Sequence, residues 1–96
     1  MKIPKKVRVG HIDFKVEKIK DSFEKDDYLG RSWYREQRIK INPKLSPELQ
    51  QQTLLHEVIH LILDDMHYFD ESKNEKLVDC LANGIYGFLK NNKLLK

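Results

Sequence analysis

Two histidines and a glutamate stand in the order His56-Glu57-Val58-Ile59-His60. In a helix, positions four apart are about 6 Å apart along the axis and roughly 40° apart around it. Both imidazoles then leave one face and can grip one ion. Glu57 stands beside them, close enough to reach a water on that ion and not placed as a third ligand. Two neutral imidazoles suit Zn²⁺, and an adjacent carboxylate can take a proton from bound water. H-E-x-x-H is therefore a zinc-hydrolase signature. The plainer reading is an amphipathic helix with two histidines by accident. A helix start, an apolar surround and a nearby third ligand argue against accident.

A catalytic zinc site needs at least three protein ligands. Glu75 and Asp79 are the candidates, one helical turn apart. Ser72-Lys73-Asn74-Glu75 also reads as a capping box, in which Glu75 would only reach back to the Ser72 N–H. Asp79 suits a supporting role, accepting the free N–H of His56 and so fixing its tautomer. His67 is too far along the helix to bind the same ion. The third-histidine position of the metzincins falls on Met66, and their glycine position on Leu63. That family is disfavoured.

The elements that must position these residues follow from the pattern. Val7 to Ile19 alternates as strand, turn, strand, broken at Gly10-His11, a two-residue hairpin signal. His11 reads as a turn residue in solvent. Lys20 to Asp27 is polar and acidic, a surface loop, and Gly30 marks the next β element. Arg31 to Asn42 reads as a second hairpin with Arg35, Glu36 and Gln37 near its turn. Pro43 ends it, having no N–H to donate. About four strands result, in one small twisted antiparallel sheet.

Ser46-Pro47-Glu48 starts a helix by cap, first-turn proline and dipole. It should run to about Met66. Its polar stripe is Gln52, Thr53, His56, Glu57, His60 and Asp64, and Leu54, Leu55, Val58, Ile59, Leu61, Ile62, Leu63 and Met66 make the apolar remainder. Such a helix is central, and its polar stripe lines a cleft. Ser72 begins a further helix, reaching about Asn91. Leu77, Val78, Leu81, Ile85, Phe88 and Leu89 form its apolar stripe. Glu75, Asp79, Ala82 and Tyr86 form a second line, where Ala82 permits close approach to the central helix. The last residues read as a frayed end. The fold class is α+β.

Ninety-six residues allow one domain with one small core. Hydrophobic content of 40% and charged content of 34% suit a soluble globular protein. The net charge is +3 and the pI about 9.0. Basic residues are interspersed with acids, so no basic block singles out nucleic acid. The single cysteine, Cys80, excludes a disulfide within the chain and fits a reducing cytoplasm. Among apolar neighbours it reads as a small buried side chain. No signal peptide and no run long enough to span a membrane is present.

His56-Glu57-x-x-His60 followed by Asn74-Glu75-x-x-x-Asp79 resembles the gluzincin metallopeptidases, the thermolysin-like class. Thr53-Leu54-Leu55-His56-Glu57-Val58-Ile59-His60 and Leu81-Ala82-Asn83-Gly84-Ile85-Tyr86 resemble small phage and mobile-element members of the ImmA/IrrE metallopeptidase family, minimal gluzincins. The resemblance covers most of the chain. It implies a single zincin domain over residues 1–96, with the sheet packed on the active-site helix and a glutamate-bearing helix. It implies one Zn²⁺ held by His56, His60 and Glu75, with Glu57 as general base and Asp79 in support. It implies a protein or peptide substrate, such as a phage or host regulatory protein, pairing beside the strand around Arg38 to Ile41. Tyr34, Tyr68, His67 and Tyr86 are candidate oxyanion donors. The chain lacks the second lobe of full-sized gluzincins, which leaves open a rival reading as a zinc-binding interaction module of little or no activity; a second rival is a nucleic-acid-associated protein whose basic surface does the work, marked by steep salt dependence of binding.

Overall fold

Alternation of apolar and polar residues builds four strands: β1 (Lys6–Val9), β2 (Ile12–Lys18), β3 (Gly30–Trp33) and β4 (Arg38–Ile41). The computed structural model describes residues 2–19 and 29–95; the loop expected at 20–27 lies outside them. Gly10 and His11 turn β1 into β2, and Val9 faces Ile12. Gly10 has φ of 60°, a left-handed value that such a turn needs at its first position. A Cβ on Gly10 would come within 2.6 Å of the Asp65 carboxylate. The turn thus sits against the end of the helix that follows the sheet. The second hairpin joins β3 to β4, with Trp33 facing Arg38.

The strand order is β1-β2-β4-β3. Both hairpins are antiparallel, but β2 and β4 run parallel, with Val16 beside Ile39. The sheet is therefore mixed, not antiparallel throughout. A strand alternates alike in either ladder, so local pattern cannot tell them apart. The long connection after β2 carries the chain to the outer position of β3, and β4 returns between them.

Val9, Phe14, Val16, Ile39 and Ile41 face one side of the sheet and pack on Leu54 and Leu61 of α1 (Pro47–Asp65). Phe14, Ile39, Ile41 and Leu61 are fully buried, each contributing about 1.5–3 kcal/mol through burial. Ser46 caps α1, its hydroxyl accepting from the Leu49 N–H at 3.2 Å, and Pro47 occupies the first turn. The helix closes at His67, whose φ is 65°. The Tyr68 N–H bonds the Leu63 carbonyl and the His67 N–H that of Asp64, which is a Schellman closure. His67 therefore ends α1 and turns the chain back on itself.

The returning segment differs from expectation. Residues 69–72 form a separate helical turn, α2 (Phe69–Ser72), before α3 (Glu75–Asn91). Asn74, not Ser72, caps α3, its side chain accepting from the Leu77 N–H at 3.1 Å. Ser72 and Glu75 are thus not spent on a capping box. Instead of fraying at once, α3 closes with bonds from Lys93 to Lys90 and from Leu94 to Leu89.

α3 packs on α1 through Val78, Ala82 and Tyr86, with Ile59 opposite. This is the second line plus Val78, not the expected apolar stripe. Leu77, Leu81, Ile85 and Phe88 stay exposed, and so does Cys80. The small side chain of Ala82 lets α3 approach closely along that line, which turns the larger residues outward. Gly84 lies on this helix with nothing within 4 Å of a Cβ placed there. Gly84→Ala should therefore stabilise the protein by about 1 kcal/mol through helix propensity. That would raise its melting temperature by roughly 4–8 °C. A thermal scan showing no rise would place an unseen neighbour against that position. Among the described residues no helix is long and apolar enough to cross a membrane.

Candidate metal centre

α1 presents Gln52, Thr53, His56, Glu57, His60 and Asp64 to one open cleft of about 780 Å³. All six residues of the expected polar stripe line it. The opposite walls are Leu29 to Ser32, from β3 and the residue before it, and Ser72, Lys73, Glu75 and Asp79. β3, not β4, flanks the cleft; β4 lies inside the sheet. The expectation that Arg38 to Ile41 borders it is thereby corrected. Gly30 makes this approach possible, since a Cβ there would meet Thr53 Cγ2 at 2.6 Å and the Lys40 carbonyl oxygen at 2.9 Å.

Three side chains converge at the cleft floor. His56 Nε2 and His60 Nε2 lie 3.2 Å apart. Glu75 Oε2 is 3.1 Å from the first and Oε1 is 3.0 Å from the second. Asp79 Oδ1 lies 3.3 Å from His56 Nδ1. Ser72 Oγ lies 3.4 Å from His60 Nδ1 and donates its own proton to the His60 carbonyl at 3.1 Å. That hydroxyl has its lone pairs left for the imidazole. Both rings are then set as Nδ1–H tautomers by their partners. Each Nε2 carries a lone pair aimed at the other and at a carboxylate. With the proton of each ring on Nδ1, the two Nε2 atoms and the Glu75 carboxylate present lone pairs that a cation can bridge. Their separations also fit one. A tetrahedral ion with bonds of about 2.0–2.1 Å holds its ligands roughly 3.3 Å apart. His56, His60 and Glu75 are together able to hold a metal ion.

Glu57 points beside this cluster and is buried. Burial pushes its carboxyl above the usual range, opposed by a hydrogen bond from the Ser32 hydroxyl and by the two histidines. Such a carboxylate is a stronger base than a solvated one. Ser32 and Ser72 escaped the sequence reading. Ser32 sits on the inward face of β3 by strand parity, a signal visible only once β3 is known to border the cleft. Ser72 was disguised as a helix cap. Tyr34 donates to Asp65 Oδ1 and Tyr86 to Gln51 Oε1, each at 2.9 Å, and His67 stacks on Phe69. Neither these three nor Tyr68 lines the cleft.

Ser72→Ala should weaken Zn²⁺ binding about 10–100-fold, the usual cost of losing a partner of a ligand histidine. Competition against a chelating dye measures it. Unchanged affinity would mean that Ser72 does not orient His60.

The sequence pattern of the peptidase family described as the IrrE N-terminal-like domain matches residues 6–85. The chain belongs to that family. The matched span takes in every strand, all of α1 and α2, and α3 as far as Ile85. The IrrE-like assignment supports a peptidase function of metallopeptidase type for the cleft just described. No curated protein and no solved structure matches the chain.

Proposed function

We propose that this IrrE-like protein is a zinc-dependent peptidase acting on a protein or peptide substrate, with one Zn²⁺ on His56, His60 and Glu75. The observation that carries the reading is the convergence of His56, His60 and Glu75, whose nearest atoms approach one another at 3.0–3.2 Å, with one ligand atom from each lying within 4.8 Å of the others. Zn²⁺ bound there supplies Lewis-acid chemistry, polarising a scissile carbonyl and lowering the pKa of a water towards about 7. Glu57 takes the proton of the attacking water and delivers it to the leaving amine. Its buried setting, with Ser32 holding one oxygen, keeps the carboxylate aimed and basic. Asp79 and Ser72 hold the two imidazoles in register. Among the described residues β3 pairs only with β4. Its other edge, beside Glu57, is suited to accept an extended substrate as an added strand.

The second reading is a zinc-binding interaction module of weak or no activity. It draws support from the four oxyanion candidates, none of which lines the cleft. The test is zinc content by elemental analysis, together with cleavage of an unfolded protein substrate with and without a chelator. One zinc per chain and chelator-sensitive cleavage support the peptidase. One zinc without cleavage supports the module. No zinc removes both.

A further inference from the structure

The cleft uses the inner face of the sheet and the edge strand β3, where Arg31 also borders it. The outer face gathers charge that the sequence disperses. Strand alternation turns Lys6, Arg8, Asp13, Lys15, Glu17, Arg31, Trp33, Arg38 and Lys40 away from α1. Six of these nine are cations and two are acids. They are separated along the chain, so no basic block appears. Pairing across four strands brings them together.

The register makes the pattern sharper. Lys6 faces Lys15, Lys15 faces Arg38, and Arg38 faces Trp33. One row across the whole sheet thus reads cation, cation, cation, tryptophan, with adjacent members about 4.8 Å apart. In the flanking rows Asp13 faces Arg8 and Glu17 faces Lys40, and the two acids meet Lys6 and Arg38 diagonally. A neighbouring row adds another like pair, Arg31 facing Lys40. Like charges directly opposite one another oppose pairing. The fold tolerates this three times on one face. At the end of the row, Arg31, Arg38 and Lys40 each lie 5.5–5.8 Å from the Trp33 ring centroid.

We propose that this outer face binds single-stranded nucleic acid, with its sugar-phosphate backbone crossing the Lys6–Lys15–Arg38 row and a base stacked at Trp33. A polyanion relieves the repulsion along the row, and an aromatic ring ringed by cations is a stacking platform for any base. A duplex offers phosphates but no free base face, which is why the tryptophan at the end of the row favours a single strand. The face lies across the sheet from α1, so this inference stands or falls independently of the peptidase reading.

Trp33 is the only tryptophan, so its fluorescence reports on this face directly. The experiment titrates the full chain with a 20-nucleotide oligothymidylate and its oligouridylate counterpart. A duplex of equal length, phosphatidylserine vesicles and polyglutamate serve as competitors. Binding with quenching of Trp33, weakened by salt, is expected. Lys15→Glu places an acid between Lys6 and Arg38, a register that favours the fold. It should lower affinity at least about 10-fold and reduce the salt slope by at least roughly 0.7. Lys93→Glu, at the far end of α3, should leave binding unchanged. Absence of binding at low salt overturns the proposal. So does equal loss in both variants, binding to vesicles or polyglutamate alone, or duplex binding as tight as single-strand binding without quenching.

Discussion

Glu57→Gln is expected to abolish peptide hydrolysis while leaving the metal in place. Glutamine has the shape of glutamate and can still accept from the Ser32 hydroxyl, but it cannot take a proton from water. Losing a positioned general base costs about 10²–10⁴-fold in rate. The Nε2 atoms and Glu75 are untouched, so zinc content should stay at the wild-type value. The same substitution has a second signature in metal-free protein. The Glu57 carboxyl is raised by burial in the folded state. A raised carboxyl binds more protons folded than unfolded, so stability falls as pH rises through the range between the two values. At neutral pH the ionised group opposes folding, and glutamine removes that cost. Metal-free Glu57→Gln should therefore melt above metal-free wild type at pH 7, and the gap should close below the ordinary carboxyl range. Undiminished cleavage would remove Glu57 from the mechanism. Lost cleavage with lost zinc would show that the substitution had disturbed the site itself.

What the sequence disclosed, and what it hid, divides along the range of the interactions. His56, Glu57 and His60 are fixed relative to one another by a single helix, so their spacing alone implied their shared face. Both hairpins were legible for the same reason: Gly10-His11 and the residues after Trp33 set their own turns. Glu75 and Asp79 lie on another helix, yet their one-turn spacing still placed them on one face. The failures all involve partners distant in the chain. Parallel pairing of β2 with β4 leaves no local trace, and the family resemblance pointed to β4 as the strand bordering the cleft, where the sheet order places β3. α3 carries two lines of small or apolar residues, and periodicity favoured the larger one. Contact with α1 selected Val78, Ala82 and Tyr86 because Ala82 permits the closer approach. Ser72 satisfies the local rule for a helix cap. Its neighbour Asn74 caps better placed, and Ser72 turns under His60 instead. The row Lys6, Lys15, Arg38 and Trp33 exists only in the register of three strand pairs.

The second large effect concerns Glu75. Its side chain is 70% exposed, and its removal leaves no cavity in either core cluster. Its placement in the first turn of α3 is worth about 0.3–1 kcal/mol through the helix dipole. Metal-free Glu75→Ala should therefore fold, with a melting temperature only a few degrees below wild type. The metal should respond quite differently. Two histidines without the carboxylate leave zinc short of the three ligands a stable catalytic site needs. Affinity should fall by more than the roughly 100-fold that an outer partner commands. Wild-type protein with zinc at 100 times its dissociation constant gains about 2.7 kcal/mol, which raises its melting temperature by roughly 10–20 °C. Glu75→Ala should lose nearly all of that shift. Asp79→Asn distinguishes the two carboxylates. Asparagine can still accept from His56 Nδ1–H, so a supporting Asp79 predicts a modest loss of affinity and a retained zinc shift. If zinc still stabilises Glu75→Ala and no longer stabilises Asp79→Asn, the ligand is Asp79 and the convergence at Glu75 is an ion pair. The two melting shifts, measured side by side, decide which carboxylate completes the centre.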